Sequence, residues 1–317
     1  MRKISNLKII AAAIWCFLCA SSLAAQKAET LLTLDAAKGE FAENLAVDLA
    51  GNVFVTLLKA RDVLRLAPDK STRRVHLPLG EKATVTGITF DNQQQLFVAV
   101  NSPDADETGV WRIDFDNAKF TRVAALPIDS MLNGMTTDAK GNLFIAESRR
   151  GAIWRVAANS NTAEKWLEHR LIAPRPQTVK LPDGKTETLN VGANGLHFLK
   201  NQLYVSVSGQ ATIVRVSVLP SGAASKTKIY LKKVFTDDFA FDQSGDLFLT
   251  ANHKSILTSR VERVTRRKKF IILADGKNDL QQPSAIAFDR NGAMYLTNLG
   301  LFGAPQKPSL QKLKILN

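Results

Sequence analysis

The chain has 317 residues, 45% of them hydrophobic, and a formal net charge of +13 from 42 Lys and Arg against 29 Asp and Glu. Its two cysteines are Cys16 and Cys19, so nothing beyond residue 19 can form a disulfide, a thiolate metal site or a Cys nucleophile. The basic clusters Arg73-Arg74, 226–233 and 266–269 carry no run of interleaved aromatics; this argues against a nucleic-acid partner and leaves solubility, or peripheral association with an anionic envelope surface, as the meaning of the charge.

Arg2, Lys3 and Lys8 precede an apolar run over 9–23, and Ser22-Leu23-Ala24 offers a small-residue cleavage site. The pattern reads as a signal peptide over residues 1–24, too short for a membrane span. It predicts an exported protein, periplasmic or secreted, whose mature form loses three basic and no acidic residues. Residues 25–317 are ample for one domain.

One short pattern then recurs six times: a polar residue, apolar–small–apolar, Asp, turn residues often including Gly, and an aromatic strand. The copies occupy 43–56, 86–100, 133–148, 194–209, 237–252 and 284–298. Measured on Asp48, Asp91, Asp138, Leu199 (in place of Asp), Asp242 and Asp289, the steps are 43, 47, 61, 43 and 47 residues. Periods of this size in all-β sequence mark a β-propeller, one four-stranded blade per repeat. The apolar periodicity of two disfavours helical repeats. The expected fold is therefore an all-β, six-bladed β-propeller over 25–317. In the third unit the four strands fall at 134–137, 143–146, 152–156 and 163–167.

The Asp-x-x-Gly turns read as hairpin turns, with Gly taking a left-handed conformation. They lack the alternating acidic ligands of a calcium loop. A recurring third-strand Arg (Arg65, Arg112, Arg155, Arg215, Arg260) is expected to pair with carboxylates or carbonyls along its blade. The last unit ends in a single strand over 309–316, so 29–34 is predicted to complete the sixth blade and close the ring.

Five residues before each ruler position stand Glu43, Thr86, Asn133, Asn194, Asp237 and Ser284, all polar. Propeller geometry puts them at the channel mouth, on the face opposite the Asp-Gly turns. Two carboxylates and two amides are hard oxygen donors suited to calcium, magnesium or manganese. A metal there could polarise a carbonyl; the alternative is that these groups hydrate the channel mouth and cap the strands.

The segments Ala42-Glu43-Asn44-Leu45-Ala46-Val47-Asp48, Leu132-Asn133-Gly134, Gly192-Ala193-Asn194-Gly195-Leu196 and Asp237-Asp238-Phe239-Ala240-Phe241-Asp242 together resemble the senescence-marker-protein/gluconolactonase/luciferin-regenerating-enzyme family of six-bladed propellers, as a divergent branch. The resemblance spans the mature chain. It implies a divalent metal on Glu43, Asn194 and Asp237, with calcium first and magnesium, manganese or zinc as alternatives. It further implies Asp237 as catalytic base and Asn133 as holder of substrate or a ligating water. The chain departs from the family in having Asn44-Leu45 after the Glu, Met131-Leu132 where a basic residue precedes the Asn, and Asp237-Asp238 in place of Asp-Gly, so that either Asp can face the metal.

On the same face, Arg149, Arg150 and His253 are candidates to hold an anionic substrate. The acidic loop 101–109 is a candidate second cation site or a solvated loop. The insertion 168–191 is a lid or a surface excursion. His197 replaces a small residue and is expected as a hydrogen-bonded histidine between blades. No phosphate loop, nucleophile elbow or zinc His pair occurs. The reading is an exported metal-dependent hydrolase acting on a small-molecule lactone or ester, with a non-catalytic envelope propeller binding a protein or glycan as runner-up.

Overall fold

The computed structural model describes residues 28–181, 184–252 and 259–315; the leader pattern at 1–24 and His253 lie outside the described residues. The described residues form strands and short 3-10 turns and no α-helix. After β1 (Glu29–Thr33), blade 1 comprises β2 (Ala42–Val47), β3 (Val53–Leu57), β4 (Asp62–Leu66) and β5 (Thr72–His76). Blade 2 comprises β6 (Thr84–Phe90), β7 (Leu96–Asn101), β8 (Gly109–Asp114) and β9 (Lys119–Ala125). Blade 3 comprises β10 (Leu132–Thr137), β11 (Leu143–Glu147), β12 (Ala152–Val156) and β13 (Ala163–Glu168). A separate hairpin, β14 (Pro176–Lys180) and β15 (Thr186–Asn190), precedes blade 4: β16 (Ala193–Leu199), β17 (Gln202–Val207), β18 (Thr212–Val218) and β19 (Ala224–Lys232). Blade 5 comprises β20 (Thr236–Phe241), β21 (Leu247–Asn252), β22 (Ser259–Val264) and β23 (Phe270–Asp275). Finally β24 (Pro283–Phe288), β25 (Met294–Asn298) and β26 (Ser309–Leu313) form a sheet with β1 in the order β1-β26-β25-β24. Six four-stranded antiparallel sheets result, and β2 packs on both β6 and β24, so the innermost strands follow one another round a ring.

The core lies between blades. Leu45 and Val47 join Ala285 and Tyr295 of blade 6, whereas Ala46 packs on the cluster shared with blade 2. The alternation has a steric reason: a small residue leaves room for Phe54, which meets Phe90 edge-on at 5.2 Å and Phe115 at 5.1 Å. Burying one such ring contributes about 1.5–3 kcal/mol. His197 occupies the small position of blade 4 and stands against Phe239 and Phe241 of blade 5 (centroids 6.3 and 5.3 Å). Burial pulls its imidazole down to about 4. It packs between blades as expected, but on rings: no hydrogen bond from its side chain appears among the described residues.

The turns behave as predicted. Asp48, Asp138, Asp242 and Asp289 each accept, through Oδ1, the backbone N–H four residues on at 2.8–2.9 Å, and Gly51, Gly141, Gly245 and Gly292 all have positive φ. Their carboxylates are occupied by their own turns. The third-strand Arg needs one correction. Cross-strand register pairs Arg65 with Phe54, Arg112 with Phe97, Arg155 with Phe144 and Arg215 with Tyr204; in blade 5 the equivalent pair is Phe248 with Arg263, not Arg260. Arg260 instead ion-pairs with Glu262 at 2.7 Å. The sixth copy is Lys312, opposite Tyr295 and 5.2 Å over its ring.

Candidate metal centre at the channel mouth

All six innermost strands break register with their neighbour at the same place: between Ala42 and Leu45, Val85 and Ile88, Leu132 and Met135, Ala193 and Leu196, Thr236 and Phe239, and Pro283 and Ile286. Each bulge holds two residues, and the first of each pair is the predicted polar ring residue. A bulge bends its strand and re-aims a side chain. In Glu43, Asn133, Asn194 and Asp237 the side chain lines the central cavity. The second residue is Gly at positions 87, 134 and 195, where the next strand comes very close: a Cβ on Gly87 would lie 2.1 Å from Asn133 O, and one on Gly134 2.7 Å from Asn194 O.

The ring divides by task. Thr86 Oγ1 donates to Leu132 O (2.9 Å) and Ser284 Oγ to Ala42 O (2.9 Å), so these two tie adjacent strands together. Asn194 Nδ2 donates to Ser208 Oγ (2.9 Å) and to Asp237 Oδ1 (2.5 Å). Both amide hydrogens are thereby used, and the Asn194 carbonyl oxygen is left without a donor. Glu43 and Asn133, 9% and 8% exposed, make no side-chain hydrogen bond among the described residues. Burial, then the charges of Asp237 and Asp238, push the Glu43 carboxyl up to about 8. Burial also pushes Asp237 up to about 6, with the Asn194 hydrogen bond acting downward.

Asp237 and Asp238 are not equivalent. Asp238 lies off the cavity lining, above Gly195, where an added Cβ would meet its Oδ1 at 2.0 Å. Its Oδ1 accepts the Phe239 N–H (2.8 Å), and burial pushes its carboxyl up to about 8. Asp237 is therefore the one that faces the site.

No group of three His, Cys, Asp or Glu side chains is spaced for a metal among the described residues. The candidate set is of a different kind, two carboxylates and an amide oxygen. Those residues fit a hard divalent cation: a buried carboxylate without a donor, a second carboxylate close enough to raise it, and an unpaired amide oxygen between blades.

The remaining candidates separate. Arg149 lines the cavity at its exposed rim. Arg150 is engaged by Asp129 and lies 3.6 Å from Glu147, so it is not free for substrate. In the acidic loop, Glu107 accepts from Ser102 Oγ (2.6 Å) and Gly80 N (2.7 Å), and Asp104 from Asp106 N (2.8 Å), so these carboxylates hold the loop itself. The insertion is the β14–β15 hairpin. Gly192 N donates to Ser148 O (2.8 Å) and Gly209 N to Val191 O (2.8 Å), which fastens its base to blades 3 and 4. Gln177, Val179, Leu189 and Val191 line the cavity, so the insertion is a wall of the site. Asn101, at the start of the acidic loop, also lines the roughly 420 Å³ cavity, as do Ser208 and the blade 6 loop with Leu301 and Phe302, which no sequence expectation named. Ser208 had a signal: it stands one residue beyond the second strand of blade 4, level with the ring.

No protein-family model and no curated protein matches the chain. Solved structures do. Regucalcin from Agrobacterium tumefaciens str. C58, described as a calcium-binding protein, superposes with a TM-score of 0.65 at 17% identity, covering 92% of this chain and 94% of that one. A luciferin-regenerating enzyme gives 0.64 at 14% identity, covering 92% and 96%. A gluconolactonase from Xanthomonas campestris gives 0.62 at 16% identity, covering 93% of each. The class is thus a six-bladed β-propeller, shared over nearly the whole length of these proteins.

Proposed function

We propose that this chain is a divalent-cation-dependent hydrolase of the lactonase kind, in a divergent branch of the senescence-marker-protein/gluconolactonase/luciferin-regenerating-enzyme family. The observation that carries the reading is the Glu43 carboxylate, buried at a channel mouth without a donor and facing Asp237 and Asn194. Calcium is the first choice of ion, supported by the oxygen-only donor set and by the calcium-binding regucalcin with the same fold. Export belongs to the proposal on the strength of the leader pattern over 1–24.

A cation held by Glu43, Asn194 and Asp237 would supply Lewis acidity toward a lactone or ester carbonyl oxygen. Asn133, with its amide unengaged, orients the substrate or a water by hydrogen bonding. Asp237 takes the proton of the attacking water through the oxygen that Asn194 does not hold; beside a bound cation this carboxylate stays ionised and so ready to accept. Asn194 fixes the rotamer of Asp237, and Ser208 fixes Asn194.

The test is metal content by mass spectrometry together with lactone hydrolysis with and without chelator. Stoichiometric uptake of a divalent ion, and turnover abolished by chelator and by Asp237→Ala, are expected. Absence of uptake, or turnover indifferent to Asp237→Ala and Glu43→Ala, would sink the reading and favour a binding propeller.

A further inference from the structure

The carboxylates of the cavity lie in the polar ring at its floor, and the wall above them is mainly apolar. Val179, Leu189 and Val191 come from the hairpin, Met131 from the approach to blade 3, and Leu301 and Phe302 from the loop between β25 and β26. These residues come from three separate parts of the chain, and no repeat rule places them there. Two polar side chains near them, Asn101 and Gln282, are used to hold them, whereas Gln177 of the hairpin, Thr84 and Ser130, whose buried hydroxyl has no partner among the described residues, also line the cavity. Asn101 accepts from Leu132 N (2.6 Å) and donates to Leu132 O (2.9 Å), and Gln282 Oε1 accepts the Phe302 N–H (3.1 Å). The hairpin that supplies half of this wall is anchored at its root: beyond the two backbone bonds already described, Gln210 Nε2 donates to Ala173 O at 2.7 Å. Arg149, at the rim, is the one basic residue lining the cavity among the described residues.

A polyhydroxylated ligand needs donors and acceptors all round it, because each buried hydroxyl left unpaired costs about 1–3 kcal/mol. This wall supplies few: besides Val179, Leu189, Val191, Met131, Leu301 and Phe302 it offers only Gln177, Thr84, Ser130 and, at the rim, Arg149. We infer that the site takes a lactone or ester whose acyl part carries an alkyl chain or aromatic ring seated against Val179, Leu189 and Phe302, and that these residues set specificity. The inference rests on the lactonase reading for the reacting group and on the wall alone for the chain. The carbonyl lies at the floor beside Glu43, Asn133 and Asp237, and the tail runs up between the hairpin and the blade 6 loop. The hydrolysis itself adds water across the acyl C–O bond, with the hydroxyl going to the acyl carbon and the proton to the leaving oxygen.

The experiment uses the full mature chain and two probe series carrying tails from ethyl to octyl: δ-lactones for turnover, and the matching δ-lactams, which resist hydrolysis, for calorimetric binding. Gluconolactone is the polyol reference. Lactam affinity is expected to rise about fourfold with each added methylene, the worth of burying one CH2, until the cavity is filled. Leu189→Ser is expected to weaken octyl-lactam binding about tenfold and to flatten the series; Phe302→Ser, from a different blade, reads the same wall if the first variant does not fold. A flat series in the wild type, or preference for gluconolactone, overturns the inference whatever the turnover. Tail-dependent lactam binding with no lactone hydrolysed would keep the apolar site and remove the hydrolase. Hydrolysis without tail dependence would do the reverse.

Discussion

Two arcs of the ring meet the same backbone demand in different ways. In blades 4, 5, 6 and 1 the N–H freed by the bulge finds a fully buried hydroxyl on the second strand. Ser206 Oγ accepts from Gly195 N (2.7 Å) and donates to Asp237 O (2.6 Å), and Thr250 Oγ1 accepts from Asp238 N (3.0 Å). Thr297 Oγ1 accepts from Ala285 N (2.9 Å), and Thr56 Oγ1 accepts from Asn44 N (3.1 Å) and donates to Thr86 O (2.7 Å). In blades 2 and 3 the corresponding residues are Ala99 and Ala146, beside Gly87 and Gly134, and the strands approach backbone to backbone. All three proposed cation ligands lie on the hydroxyl-bearing arc. Four side chains that touch no ligand thus help to hold the strands from which the ligands project. The practical lesson is that the site extends one strand outward from the channel.

That contrast can be broken most severely at its ionic end. Glu43→Gln is expected to lower turnover at least about 100-fold, while raising the thermal midpoint of the cation-free protein at pH 8, because it removes a buried charge with no partner. The same exchange of shape on the other arc, Thr86→Val, should leave turnover nearly intact. A Glu43→Gln protein that is both active and no more stable would erase the distinction. Lactone assays and calorimetry read the two arms.

Next in size is the pH dependence of the cation-free protein. The carboxyls of Glu43, Asp237 and Asp238 are raised in the folded state, to about 8, 6 and 8. Between the ordinary carboxylate range and pH 8 the native state therefore holds protons that the unfolded chain has released. Stability falls as pH rises through that window and is greatest below it. Added calcium should flatten the fall by favouring the ionised forms. A midpoint that climbs from pH 5 to pH 8 without calcium would contradict the assignment.

Smallest is the exchange of hydroxyls between arcs. Ser206→Ala leaves a buried N–H and the Asp237 carbonyl short of a partner and should cost about 1–3 kcal/mol in urea unfolding. Ala99→Ser adds a hydroxyl where the fold does without one and should change stability by less. Equal effects would mean that the two arcs are equivalent after all.

Much of this was legible in the residues. The Asp ruler gave the blades, because each Asp closes its own turn through a local hydrogen bond that needs no partner elsewhere in the chain. The six ring residues were legible as positions for the same reason. The bulge was not, since the sequence marks it only by a Gly in three blades, and a Gly has many uses. Arg260-Val261 and Arg263-Val264 offer the same dipeptide three residues apart in blade 5, and only cross-strand register distinguishes them. The apolar wall was invisible because it is assembled from loops that no period relates.

The last sheet contains both ends of the described chain. Thr33 faces Ser309, and Ser284 Oγ reaches Ala42 O across 242 positions of sequence. Contacts so remote are the slowest kind to find. Glu43 sits immediately beside that seam. The blades that carry the two carboxylates, 5 and 1, are joined at the channel through β24, which packs on both β20 and β2. The acidic pocket is thus a product of late completion, and a chain interrupted before residue 283 would carry every proposed ligand and still lack the inner strand that joins blade 5 to blade 1.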